Sequence, residues 1–89
     1  MKKFQKARLI KREVGNPETN YQNGYWSEGI LASDITVGEI IILLRNLRAD
    51  YEDYTKQVET EGIFTSSRIL EINGNLVTTK NSVWEVVEL

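Results

Sequence analysis

Residues 62–89, GIFTSSRILEINGNLVTTKNSVWEVVEL, decide the fold class of this chain. Ile63, Phe64, Ile69, Ile72, Val77, Val83, Trp84, Val86 and Val87 supply the β-branched and aromatic residues that suit a pleated, half-buried surface. Asn73-Gly74-Asn75 separates two such runs. Asn and Gly tolerate positive φ, which tight hairpin turns require, so this tripeptide predicts a reversal. Lys80-Asn81-Ser82 offers a second turn. The reading is a meander of short strands that the rest of the chain must cover. Trp84 and Trp26 are the expected large core residues.

Working outward, Phe4 to Val14 reads as a first strand. Ala7, Leu9 and Lys11 fall on one face, and Arg8, Ile10 and Arg12 on the other. Gly15 to Gly24 (GNPETNYQNG) is a long, proline-containing loop. Tyr25 to Ala32 is a second strand, with Gly29 marking a bulge or bend, and Ser33-Asp34 turns the chain. Thr36 to Glu61 admits two readings. Thr36 and Glu39 fit a capping box, and Ile40, Leu44, Leu47, Tyr51, Tyr54 and Val58 form one helical stripe. That gives an α+β alternative with a central helix at about residues 37–58 on a β-meander. The preferred reading is a long hairpin folded at Glu52-Asp53, pairing Tyr51 with Tyr54, Leu47 with Val58 and Ile42 with Ile63. Ile40 to Leu44 is a continuous β-rich run, and Gly38 costs a helix about 1 kcal/mol against Ala. Thr65, Ser66 and Ser67 are expected in a turn, with their hydroxyls satisfying backbone groups.

The chain has 89 residues with no repeat and no linker, so residues 1–89 are expected to form one domain. The expected fold class is mainly β, a small antiparallel barrel of about five to six strands. The order of features, strand, long loop, strand, Val37-Gly38-Glu39 leading into an apolar strand, hairpin and tight meander, resembles a small SH3-like (or OB-like) β-barrel. Its ending, from Thr65-Ser66 through Ile69 and Ile72 to Thr79-Lys80-Asn81-Ser82-Val83-Trp84, is similar to small bacterial and phage-type proteins. The resemblance covers residues 25–89 and implies a barrel without catalytic activity. The Ala-Leu-Tyr-Asp-Tyr-like segment of signalling SH3 domains is absent, so proline-rich peptide binding is not implied.

There is no histidine and no cysteine. The commonest general base, the commonest metal ligand, thiolate metal sites and disulfides are therefore missing. Ser66, Ser67 and Ser82 have no histidine to activate them. The carboxylates at Asp50, Glu52 and Asp53 and at Glu59 and Glu61 lie in the most polar stretch, with no EF-hand spacing. The six glycines form no phosphate-binding motif. The expectation is no enzyme, no catalytic residues, no metal and no cofactor. No apolar run is long enough to span a bilayer, and no apolar segment follows the basic start as in a signal peptide. A cytoplasmic protein with no membrane partner is expected.

The net charge of −2 is unevenly placed. Lys2, Lys3, Lys6, Arg8, Lys11 and Arg12 give the first 12 residues +6, and the remainder carries −8. The plainer reading is a charged outer strand face beside acidic neighbours. The functional reading is a nucleic-acid contact along these six residues, helped by aromatic stacking. Against it, the acidic remainder repels a backbone wrapped around the body. The leading functional expectation is instead a protein-binding module, an adaptor or an inhibitor of a larger protein, possible cargo of a mobile element. Its proposed anchors are Tyr21, Tyr25, Arg45, Arg48, Tyr51 and Tyr54, since tyrosine and arginine dominate interface hot spots. The competing structural role is that these tyrosines close the barrel ends, rings in and hydroxyls out.

Overall fold

Seven strands follow one another: β1 (Lys6–Val14), β2 (Trp26–Leu31), β3 (Ile40–Ala49), β4 (Gln57–Glu59), β5 (Ile63–Asn73), β6 (Leu76–Thr79) and β7 (Ser82–Glu88). This is a computed structural model, and it describes residues 1–14 and 23–89. Every pairing is antiparallel, in the order β2-β1-β7-β6-β5-β3-β4, and a further β2–β3 pairing closes six of the strands into a ring. Closure leaves few unpaired edges, which suits a short chain with a limited core. The central-helix alternative is overturned: residues 40–49 are strand, and no helix occurs among the described residues. The continuous Ile40–Leu44 run is paired on both sides, by β2 and by β5, and that double burden of hydrogen bonds outweighs the helical stripe.

The core forms inside the ring and under its turns. Ala7, Leu9, Leu31, Ile41, Leu43, Ile69, Val77, Trp84 and Val86 are buried together with Tyr25, Trp26, Ala49 and Phe64. Trp84 packs edge-on against Phe64, with ring centroids 5.0 Å apart. Lys11 follows Ala7 and Leu9 onto the inner face and is buried, its ammonium 5.6 Å from the centre of the Trp84 ring. Burial pushes this ammonium below the ordinary lysine pKa.

The meander turns where expected. Asn73 pairs with Leu76 around Gly74-Asn75, and Gly74 takes the positive φ of +62°. At the second turn the Thr79 hydroxyl donates to the Ser82 carbonyl and accepts from the Ser82 N–H.

Two expectations need correction. Thr65, Ser66 and Ser67 are not a turn but lie within β5, where the register with β3 shifts. Ser66 and Ser67 stand opposite the single residue Ile41, a β-bulge. The hydroxyls do satisfy backbone groups: the Ile41 N–H donates to Ser66 Oγ at 2.9 Å, and the Asn81 N–H donates to Ser67 Oγ at 3.1 Å.

The hairpin register is also different. Leu47 pairs with Glu59, Arg48 with Val58, Leu44 with Ile63 and Ile42 with Thr65. The reversal is not tight at Glu52-Asp53, because the Asp50 N–H donates to the Lys56 carbonyl and closes a longer turn. A single-residue slip moves side chains to the opposite face. Here it sets Arg48, rather than Leu47, across from Val58.

β3 also carries an extra residue against β2. Glu28 pairs with Leu47 but Gly29 with Arg45, so Asn46 is bulged. Gly29 permits the close approach this requires: a Cβ there would lie 1.9 Å from the Leu44 carbonyl oxygen. The expected bulge or bend at Gly29 is therefore present.

Candidate functional site: an aromatic cap on the long turn

The turn after β3 is built by two aspartates. The Asp50 carboxylate accepts the N–H groups of Glu52 and Asp53 at 2.9 and 3.2 Å. The Asp53 carboxylate accepts the Thr55 N–H at 3.0 Å and the Thr55 hydroxyl at 2.6 Å. These are Asx-type turns, in which a short side chain replaces a backbone acceptor. Two of the carboxylates that could be weighed for acid–base or metal chemistry thus hold the chain in shape. Among the described residues, no group of three potential metal ligands is formed.

The hydrogen bonds from Thr55 favour the charged form of Asp53 and hold its pKa below the ordinary carboxylate range. A carboxyl depressed in the folded state stabilises the fold above its unfolded pKa, and the contribution is lost as pH falls through the folded value. Thr55→Val removes the hydroxyl donor. An NMR titration is expected to show the Asp53 carboxyl moving up toward its ordinary value; an unmoved titration would show that this bond does not form.

This turn lays its tyrosines against Tyr25, the residue that precedes β2. Tyr25 is fully buried, and Tyr51 stacks over it with ring centroids 6.1 Å apart and planes 20° from parallel. Tyr54 meets Tyr25 edge-on at 5.7 Å. The Arg48 guanidinium lies 3.9 Å from the centre of the Tyr51 ring, and one of its N–H groups donates to the Ala49 carbonyl at 3.0 Å. The Trp26 indole N–H donates to the Tyr54 carbonyl at 2.9 Å, pinning the turn to β2. Ser27 Oγ donates to the Tyr25 hydroxyl at 3.3 Å. The Arg8 guanidinium covers the Trp26 ring at 4.0 Å and is itself held by Glu28 at 2.9 Å.

Four of the six residues expected on a protein-binding surface therefore come together: Tyr25, Arg48, Tyr51 and Tyr54. Their roles separate by exposure. Tyr51 is 56% exposed, Tyr54 is half-buried, and Tyr25 supports both from beneath. Arg45 stands apart, half-buried between Gly29 on β2 and Gly62, whose carbonyl accepts the Arg45 N–H. Arg45 Nε is buried and has no hydrogen-bond partner among the described residues. Tyr21 lies outside the described residues.

The basic run does not form one stripe. Lys11 is inside, Arg8 pairs with Glu28, and Arg12 pairs with Glu85 at 2.7 Å. The plainer reading of a charged strand face beside acidic neighbours thus describes Arg8 and Arg12. Lys2, Lys3 and Lys6 stay exposed near the start of β1.

Trp26 and Arg8 were not among the expected anchors, yet both brace the cap. Nothing in the sequence around Trp26 or Arg8 marks this role, because it depends on β1 meeting β2 and on the distant turn after β3. Among the described residues no helix is long and apolar enough to cross a membrane. No known protein family, no curated protein and no solved structure matches this chain.

Proposed function

We propose that the ring is a small SH3-like barrel, and that the protein is a non-enzymatic module that binds a protein partner through its tyrosine cap. The observation that carries this reading is the half-exposed Tyr51, whose ring lies against the Arg48 guanidinium and the buried Tyr25 on a turn braced by Asp50 and Asp53. A ring held in place before binding loses little conformational entropy on contact. Tyrosine and arginine in this setting form hot spots, where truncation costs 2 kcal/mol or more.

The acidic residues of the same turn, Glu52 with Asp50 and Asp53, favour a partner whose contact surface has a basic rim. An adaptor, or an inhibitor that occupies a site on a larger protein, works by such a contact. The test begins with a partner captured from the native host. Tyr51→Ala and Tyr54→Ala are each expected to weaken it by about thirtyfold or more. Unchanged binding by both variants, with the fold intact, removes the proposed surface.

The nucleic-acid alternative is favoured by one observation only, the exposed Lys2, Lys3 and Lys6 beside an exposed aromatic ring. It shrinks from a strand-long stripe to a local contact at the start of β1.

A further inference from the structure

Phe4 is the one described residue other than glycine with a positive φ, at +73°. It sits third in a four-residue turn, in which the Gln5 N–H donates to the Lys2 carbonyl at 3.1 Å. A turn with positive φ at the third position alone is type II, and glycine or asparagine belongs there. A side chain in this conformation crowds its Cβ against the following carbonyl oxygen, a clash that glycine avoids. The turn is nonetheless fastened on every side. The Phe4 N–H donates to the Leu31 carbonyl at 2.8 Å, the Lys3 N–H to the Asp34 carboxylate at 2.7 Å, and the Lys2 N–H to the Gln5 side-chain carbonyl.

The turn sets Met1 against the core, but the Phe4 side chain itself does not serve it. Phe4 is 74% exposed, the most exposed large apolar side chain among the described residues. Its ring has the Lys3 ammonium 5.0 Å from its centre, and Lys2 and Lys6 are exposed on either side in sequence. Backbone strain that presents a side chain instead of burying it points to function. The chemistry presented is a flat apolar face among cations, on a molecule that is otherwise acidic.

We infer that the Lys2–Lys6 turn is a contact site for single-stranded nucleic acid, with Phe4 stacking on one base and Lys2, Lys3 and Lys6 on the adjoining phosphates. This deepens the nucleic-acid alternative and is independent of the tyrosine cap. An aromatic platform with a few phosphate contacts is the minimal arrangement for sequence-tolerant single-strand binding. A base stacks on a ring held away from the body, and a short strand touching only this turn avoids the acidic remainder.

The test uses the whole chain and a fluorescently labelled oligothymidylate at low salt. Binding is expected, with a log–log salt slope of about −2 for three phosphates. Phe4→Gly is expected to lower affinity about tenfold while raising Tm by about 4 °C, because glycine relieves the turn. The gain in stability separates this loss from unfolding. Tyr51→Ala leaves oligonucleotide binding unchanged. Binding that survives Phe4→Gly but is lost when the three lysines are changed to Gln overturns the stacking site and spares the wider nucleic-acid reading. No binding at low salt overturns both. Binding to phosphatidylserine vesicles without binding to the oligonucleotide also overturns the proposal, and assigns the turn to an anionic lipid surface.

Discussion

Gly29→Ala is expected to destabilise the protein by about 3 kcal/mol or more, the upper end of overpacking costs. The added methyl would stand 1.9 Å from the Leu44 carbonyl oxygen and 2.9 Å from the Arg45 Cα. Both atoms are backbone, so neither can swing aside as a side-chain tip would. Relief requires β2 and β3 to part where Asn46 bulges, and that pairing is what closes the ring. A domain of this length has about 4–13 kcal/mol of stability in all. The loss corresponds to a Tm lower by about 12–24 °C in a thermal melt. Gly38→Ala provides the contrast. Gly38 has a φ of +92° and open space around its Cβ position, so only the strain of the backbone applies. That cost is about 1–2 kcal/mol. If the two variants melt together, close approach at Gly29 is not what holds β2 against β3.

Trp84→Ala is expected to cost about 3–5 kcal/mol, the range for truncating a buried aromatic ring. Trp84 is only 4% exposed and stands at the centre of three elements. It pairs across the sheet with Lys11 of β1 and Val77 of β6, and it packs edge-on against Phe64 of β5. Removing the ring opens a cavity under strands that cannot collapse without breaking their ladders. It also leaves the buried Lys11 stem and ammonium without the ring they lie against. Chemical denaturation is expected to show a lower midpoint with little change in slope, since the same surface is still exposed on unfolding. A loss below about 1 kcal/mol would place Trp84 outside the core.

The strands at the two ends of the chain were legible in the residues. Ala7, Leu9 and Lys11 alternate inward as their spacing predicts, and Asn73-Gly74-Asn75 turns as its chemistry requires. The choice of strand over helix for Ile40–Ala49 followed from β-branched residues and from sheet signals on both sides. The register of the long hairpin was not legible. Leu47 pairs one residue beyond its expected partner and Ile42 two residues beyond, and although Gly29 marks where β3 bulges against β2, nothing in composition marks these displacements or the bulge at Ser66-Ser67. The turn was misplaced because Asp50 and Asp53 hold a wider reversal with their side chains, and aspartate is equally common in tight turns.

The cap was half legible. Tyr51, Tyr54 and Arg48 share a short segment, and aromatic residues in polar surroundings drew attention to it. That Tyr25 lies beneath them depends on β2 meeting β3, a contact between residues distant in the chain. Its neighbours Asn23 and Gly24 are polar or small, so nothing local marks Tyr25 as buried. The basic run misled in the opposite way. Its charges look like one stripe in sequence, but strand alternation sends Lys11 inward and Arg8 and Arg12 outward to Glu28 and Glu85.

The proposed binding surface depends on ring closure, because β2 brings Tyr25 beneath Tyr51 and Tyr54. A NOESY spectrum of the free protein reads this directly. Cross-strand contacts of Ser27 with Arg48 and of Leu31 with Leu43 are expected, together with ring contacts from Tyr25 to Tyr51 and Tyr54. Absence of the β2–β3 contacts, in a spectrum that retains those between β1 and β7, would show an open sheet and contradict the cap.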